Sequence, residues 1–148
     1  MSESTRWLCG ISILLLGVRV FAAEIATIKV LRGTVTIERS GQHLTGNLGF
    51  GLLEGDQVIT GTDSSVGITF EDNSLLSLGP NSQLAVDRFQ FNSTTHDGEF
   101  QASLKQGKLA VVSGKIAKHK EDAMKVRTPA SIIGVRGTEF VVDVAATK

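Results

Sequence analysis

Apolar residues alternate with polar ones along most of this chain, which is the spacing of a half-buried β-strand. The alternation is cleanest at Val66, Ile68 and Phe70, and it resumes after each cluster of turn residues. An amphipathic helix needs apolar residues three or four positions apart, and no long segment keeps that spacing. About nine or ten short strands, spaced about 8–12 residues apart, predict an all-β sandwich, roll or barrel.

One break in the alternation predicts a local irregularity. Leu84 and Val86 are two positions apart and so lie on one face of a strand, whereas Phe89 and Phe91 fall on the opposite face if the alternation continues. One extra residue in a strand shifts the parity in this way, so we predict a β-bulge near Asp87-Arg88.

Several polar clusters predict the connections between strands. Gln106-Gly107 predicts a turn, and Gly114–Asp122 is one of the two longest polar loops. Glu71-Asp72-Asn73-Ser74 has oxygen atoms that calcium accepts, but a calcium site needs six to eight of them. The same residue types are typical of a tight turn, so we predict a hairpin turn at this position.

Residues 1–23 have the character of a leader for export. Arg6 is positively charged, Leu8–Val18 is a short apolar run, and small residues at Ala22 and Ala23 offer a cleavage site. Eleven residues rise about 16 Å as a helix, roughly half the hydrocarbon thickness of a bilayer. We therefore predict a cleaved signal peptide at 1–23, one domain at 24–148, and a mature chain without a membrane span in the periplasm or outside the cell.

Composition excludes several classes of function. The chain has 15 basic and 15 acidic residues, so no bulk charge draws it to nucleic acid. It has one Cys, which excludes a disulfide framework and a site built from cysteines, and it has no Tyr. We expect no cofactor, no metal and no nucleic-acid partner.

Charge is unevenly distributed along the chain. Residues 54–104 hold eight acidic residues against Arg88 alone, and residues 105–136 hold eight basic residues against Glu121 and Asp122. These blocks lie side by side as cross-strand pairs, or they form opposed poles that steer a charged partner. An anionic polymer would bind the lysines between Lys105 and Lys125. The central ones are Lys115, Lys118 and Lys120.

The sequence offers little catalytic chemistry. A triad can be written from Ser113, His119 and Asp122, but these residues lie in a lysine-rich loop. A nucleophile needs fixed geometry and a base that a third group orients. We therefore predict that the protein is not an enzyme.

Two motifs lie near the C-terminus. The first is Val126-Arg127-Thr128-Pro129, and the second, which follows Ile132-Ile133-Gly134, is Val135-Arg136-Gly137-Thr138-Glu139-Phe140-Val141-Val142. Together these motifs resemble the signature of the FecR family, a V-x-T-P element followed by V-R-G-T-x-F-x-V. Upstream stretches are similar to further family elements in the same order: Gly33-Thr34-Val35, Leu53-x-Gly55-Asp56-x-Val58-x-Thr60-Gly61, Ser65–Phe70 with Asp72-Asn73-Ser74, and Leu104-x-x-Gly107-Lys108-Leu109.

The motif residues also have physical roles in a β-domain. Asp56 can bond the backbone of its own turn, and the residue before Pro129 is held extended. Arg136 is expected to pair with a carboxylate or to cap carbonyl groups. We predict that the signature residues build the fold: Gly55, Asp56, Thr60, Gly61, Gly107, Thr128, Pro129, Gly134, Arg136, Gly137, Thr138 and Phe140.

The resemblance implies a jelly-roll-like domain of a bacterial envelope protein. In fuller family members an anti-sigma segment and a membrane helix precede this domain, a small signalling module follows it, and the protein relays a transporter's signal. Nothing precedes the leader here and the chain ends at Lys148, so we expect it to signal only with a separate partner. The first hypothesis is a non-catalytic sensory domain that binds an envelope protein or a ligand, through a free strand edge or charged poles. The second is a cell-wall or polyanion-binding module that uses Lys105–Lys125.

Overall fold

The computed structural model describes residue 17, residues 22–137 and residues 139–145. Most of the expected leader at 1–23 lies outside the described residues. Among the described residues no helix has the length and apolar character to cross a membrane.

The predicted all-β class is confirmed. The described elements are β1 (Ala26–Arg32), β2 (Val35–Arg39), β3 (Gln42–Thr45), β4 (Gly51–Leu52), β5 (Gln57–Thr60), β6 (Ser65–Phe70), β7 (Leu75–Leu78), β8 (Gln83–Phe91), β9 (Gly98–Val112), α1 (Lys115–His119), β10 (Met124–Arg127), β11 (Ile132–Val135) and β12 (Glu139–Val144).

The strands form two sheets that share one long strand, β9. The first sheet has the order β4-β1-β6-β7-β9-β12, and the second has the order β3-β2-β5-β8-β9-β10-β11. Neighbouring strands are antiparallel except β9 and β10, which are parallel. Buried residues of both sheets belong to one hydrophobic core. The result is a curled sheet folded over that core, as in a β-roll.

The predicted turn at Gln106-Gly107 is wrong, because β9 continues through these residues. Its first part pairs with β8 and β10 in the second sheet, and its last part pairs with β7 and β12 in the first. Gly107 has φ +93°, a value that bends the strand from one sheet into the other without reversing it. The turn residues in the sequence therefore mark a bend.

The predicted bulge in β8 is confirmed. The register between β8 and β9 shifts between Val86 and Arg88. The shift returns Phe89 to the inner face, where its ring centroid lies 5.4 Å from that of Phe70 and 5.1 Å from that of Phe100. Tilted and edge-to-face contacts of this kind contribute about 1 kcal/mol each beyond area burial. The bulge thus completes the aromatic centre of the core.

Part of the predicted loop Gly114–Asp122 is helical. The helix α1 has five residues, too few to show a helical period in the sequence, and its Ile116 and Ala117 are buried. Its first residues are held by Asp72, whose carbonyl accepts the N–H of Lys115 at 2.7 Å. We infer that α1 closes one end of the core.

Candidate functional site

Asp56 is a buried signature residue that lies in the turn between β4 and β5. Its carboxylate accepts hydrogen bonds from Arg39 Nε at 2.9 Å and Arg39 Nη2 at 2.6 Å. It also accepts the Leu53 N–H at 2.8 Å, which is the predicted bond to its own turn. Arg39 Nη2 donates to the Gly51 carbonyl at 3.0 Å as well. The pair ties the end of β2 to this turn.

The hydrogen bond to Asp56 raises the pKa of Arg39, against a smaller opposing effect of partial burial. Because the folded-state pKa of Arg39 is raised, its charged form adds stability at every pH below the unfolded-state pKa. That stability is lost only when the pH rises through the folded-state pKa. Both values lie above the range in which proteins are studied, so Arg39 stays charged throughout that range. The guanidinium therefore adds no pH dependence of its own.

Replacing Asp56 with Ala is expected to lower the free energy of unfolding by about 2 kcal/mol. The change leaves the Leu53 N–H and the guanidinium without their acceptor, although water reaches Arg39, whose side chain is 30% exposed. Urea unfolding followed by circular dichroism measures the loss. The control is Asp143→Ala, which removes a 3.6 Å pair with Lys108 between exposed side chains and is expected to cost under about 0.5 kcal/mol. Equal losses in the two variants would contradict a structural role for Asp56.

Thr60 and Gly107 are signature residues that meet around Ser82. Thr60 Oγ1 donates to the Gly79 carbonyl at 2.6 Å and accepts the Ser82 N–H at 2.9 Å. Ser82 Oγ accepts the N–H of Lys108 at 3.0 Å, immediately after the bend in β9. These bonds hold the β7–β8 connection against both sheets.

Thr128 and Pro129 lie in the turn that joins β10 to β11. The Thr128 N–H donates to the Ser131 carbonyl at 2.8 Å, and the Ser131 N–H donates to Thr128 Oγ1 at 3.0 Å. Pro129 takes the second position of the turn, where its fixed φ fits. The V-x-T-P element therefore forms a closed hairpin turn.

The remaining signature residues that the structure describes lie on strands or in the turns between them. Arg136 pairs with the carboxylate of Glu121 at 3.2 Å, and both side chains are exposed. Phe140 is half-buried in β12 and packs against the core. Thr138 lies outside the described residues. The other members are Gly55 in the β4–β5 turn, Gly61 after β5, Gly134 in β11 and Gly137 between β11 and β12.

The described residues offer no assembled catalytic or metal centre. Of the three residues that could be written as a triad, Ser113 is buried whereas His119 and Asp122 are exposed. Within the described part of the chain, no group of three or more His, Cys, Asp or Glu side chains could hold a metal ion. The oxygens of Asp72 accept hydrogen bonds from Ser74 and Ile116, as a turn residue does.

The lysines of the basic region are divided among three elements and the segment after α1. Lys115 and Lys118 lie on α1, whereas Lys105 and Lys125 extend from β9 and β10. Lys120 lines a shallow depression that also holds the acidic side chains Glu99, Glu121 and Asp122. Nearby carboxylates weaken the attraction for a polyanion, so the structure adds no support to polyanion binding, which remains a prediction.

The outer face of the first sheet is uncharged across β6, β7 and the end of β9, and the exposed Lys29 lies beside this stretch, at the bulge of β1 between Thr27 and Val30. Strand register places Val30, Gly67, Ser77, Ala110 and Val141 in one row across five strands. The next row is Thr27, Thr69, Leu75 and Val112. We call these nine residues the neutral face. Val30 is 61% exposed, Val141 is 64% exposed and Leu75 is 44% exposed.

Charged residues surround the neutral face. The Lys108–Asp143 pair lies at one border and Glu139 extends the Leu75 row at another. An uncharged centre with a charged rim is the usual composition of a protein–protein interface. The exposed side of the second sheet differs, because it carries the ion pair of Arg88 and Glu99 together with Lys105, Lys125 and Arg127.

A groove opens beside the neutral face, between the edges of the two sheets. It has a volume of about 310 Å³ and is lined by the turn at Thr128–Ser131, by Ile133 and by Val142–Ala145. The edge strand β11 pairs only with β10, and the edge strand β12 pairs only with β9, among the residues that the structure describes. The apolar groove and two unpaired strand edges therefore lie at one side of the domain.

Sequence reasoning missed the neutral face. Its nine residues come from five strands; five of them are the ordinary polar or small residues of a strand's solvent side, and the other four are single apolar residues on different strands. Only the pairing of β1, β6, β7, β9 and β12 brings them together. The one available signal was the lack of charge at the outward positions of β6, β7 and the end of β9.

Comparison with protein families gives one match. A family model described as FecR protein matches residues 56–148, which is more than half of the chain. Searches of the curated proteins and of the solved structures found no match.

Proposed function

The chain belongs to the FecR family, and from that premise we propose that it is a sensory domain that binds another envelope protein through the neutral face. The family is associated with signal transduction in bacteria and is linked to the cell envelope. It is a regulatory family rather than an enzymatic one. In this proposal the chain is exported, is cleaved near Ala23 and acts in the periplasm without catalysis. Its signalling role depends on the partner that it binds.

The observation that supports this proposal is the uncharged stretch of the first sheet's outer face on β6, β7 and the end of β9. Antiparallel sheets with one solvated face usually carry polar and charged residues there. Here Gly67, Ser77 and Ala110 keep the centre flat, and Leu75 and Val112 add apolar surface. Covering the part of this surface on β6, β7 and the end of β9 removes apolar area from water without desolvating a charge, which favours association.

Site-specific photo-crosslinking in cells tests the proposal. A benzophenone amino acid at Ser77, in the centre of the neutral face, is expected to form an adduct with a specific envelope protein. The same amino acid at Gln90, on the exposed side of β8 in the second sheet, is the matched control and is expected to give none. Mass spectrometry of the adducts identifies the partner.

A second substitution checks that the face itself is responsible. Leu75→Glu places a charge in the centre of the neutral face and is expected to abolish the adduct at Ser77. The unfolding curve of that variant should stay close to the unsubstituted one, because Leu75 is exposed. Adducts of equal yield at Ser77 and Gln90, or none at Ser77, would overturn the proposal.

A further inference from the structure

Among the residues that the structure describes, the outer edge of β12 is open to another strand. β12 pairs with Gly107–Val112 of β9 on one side, and no described strand pairs with its other side. A free edge presents N–H and C=O groups that a strand of another chain can pair with. The backbone of β12 can therefore extend the first sheet by one strand.

The side chains of β12 distinguish its two faces. Phe140, Val142 and Val144 face inward and are buried or half-buried, and Val142 and Val144 line the groove. On the outward face the sequence is acidic, apolar, acidic, since Glu139 and Asp143 flank the exposed Val141. The edge thus presents two exposed carboxylates, four residues apart, around a neutral centre, and the carboxylate of Asp143 also lies 3.6 Å from Lys108 Nζ of β9.

This charge pattern opposes pairing with a second copy of β12. In a fully overlapped antiparallel pair centred on Val141, Glu139 of each copy lies opposite Asp143 of the other. In a fully overlapped parallel pair, each acidic residue lies opposite itself. Like charges directly opposite each other destabilise a strand pair. The edge therefore disfavours self-pairing in these registers and favours a strand of opposite charge.

We propose that β12 binds an extended segment of its partner protein. The outward side chains of that segment are basic, neutral and basic in turn, and its inward side chains are apolar. This inference rests on the proposed function and specifies the chemistry of the partner. The two basic residues lie opposite Glu139 and Asp143, the neutral residue extends the row that ends at Val141, and the apolar residues enter the groove beside Ile133. The pattern is symmetrical, so it suits both strand directions.

A peptide assay with the full chain tests this proposal. The probe is a labelled, end-capped peptide with the sequence Ser-Lys-Val-Thr-Val-Lys-Ser, and the comparison peptide has Glu in place of both Lys. Fluorescence anisotropy at low salt is expected to give about ten-fold tighter binding of the Lys peptide. The Glu139→Lys/Asp143→Lys variant is expected to reverse the preference by a similar factor.

The control variant is Asp63→Lys/Asp97→Lys, which changes the net charge equally at two exposed loop positions. It is expected to keep the preference for the Lys peptide. Equal binding of the two peptides, an unchanged preference after reversal at β12, or a reversed preference in the control would overturn the proposal. If these results occur while Ser77 still forms its adduct, only the strand chemistry fails and the proposed function stands.

Discussion

Replacing Asp72 with Ala is expected to lower the free energy of unfolding by about 4 kcal/mol. Asp72 is fully buried in the turn between β6 and β7. Its oxygens accept the Ser74 N–H at 3.0 Å, the Ser74 hydroxyl at 2.7 Å and the Ile116 N–H at 3.3 Å. An Ala at this position leaves all three donors buried without that acceptor, and each such loss costs about 1–3 kcal/mol.

The network around Asp72 explains why the loss should be large. Ser74 Oγ also accepts the Gly114 N–H at 3.0 Å, so the turn holds the residue that begins α1. The buried residue Ile116 is thereby fixed over the end of the core. Removing the carboxylate is expected to weaken the hairpin turn and the attachment of α1 together.

Two substitutions serve as controls for Asp72→Ala. Asp72→Asn keeps the shape and one acceptor oxygen, so about half of the loss is expected. Asp97→Ala removes an exposed carboxylate from a loop and is expected to change the stability by less than about 0.5 kcal/mol. Urea denaturation followed by circular dichroism gives all three values. A loss below about 1 kcal/mol for Asp72→Ala would show that the turn does not need its carboxylate.

The second large effect is expected at Gly107, where Ala should lower the free energy of unfolding by about 3 kcal/mol. Gly107 has φ +93°, which strains any residue with a side chain. A Cβ atom there would also overlap the backbone and side chain of Ser82. The variant must therefore move the β7–β8 connection or change the bend in β9.

Gly55→Ala separates these two causes. Gly55 has nearly the same backbone angle, φ +91°, but no atom lies near the position of an added Cβ. It is therefore expected to lose only about 1 kcal/mol, the cost of the left-handed backbone. The difference between the two variants measures the close approach of β9 to Ser82. Equal losses would mean that this approach relaxes without cost and that only the backbone angle matters.

Local patterns predicted many features of the fold correctly because their causes lie within a few residues. The bulge near Asp87-Arg88 shows as a change of parity inside one strand. The turn at Glu71–Ser74 is predicted by residue types that bond their own backbone. Gln106-Gly107 was misread for the same reason, since a glycine that permits a turn also permits a bend. The neighbouring strands decide between the two.

The C-terminal motif shows a similar division. Pro129 predicted only an extended residue before it, and the turn that Thr128 Oγ1 closes with the Ser131 N–H became visible in the structure. The partner of Arg136 was predicted only as a carboxylate or as carbonyl groups, since Glu121 reaches it through tertiary structure. Arg39 was not identified as the partner of Asp56 for the same reason: the two residues are 17 positions apart.

By itself the sequence determined the all-β class, the inward side of strands with clean alternation such as Ser65–Phe70, and the family. These depend on alternation and on short motifs, which act over neighbouring residues. Only the tertiary structure decided that Val30, Gly67, Ser77, Ala110 and Val141 form one row and that no other described strand pairs with the outer edge of β12. Strand order and register arise from pairing between distant segments, and many pairings satisfy the same alternation.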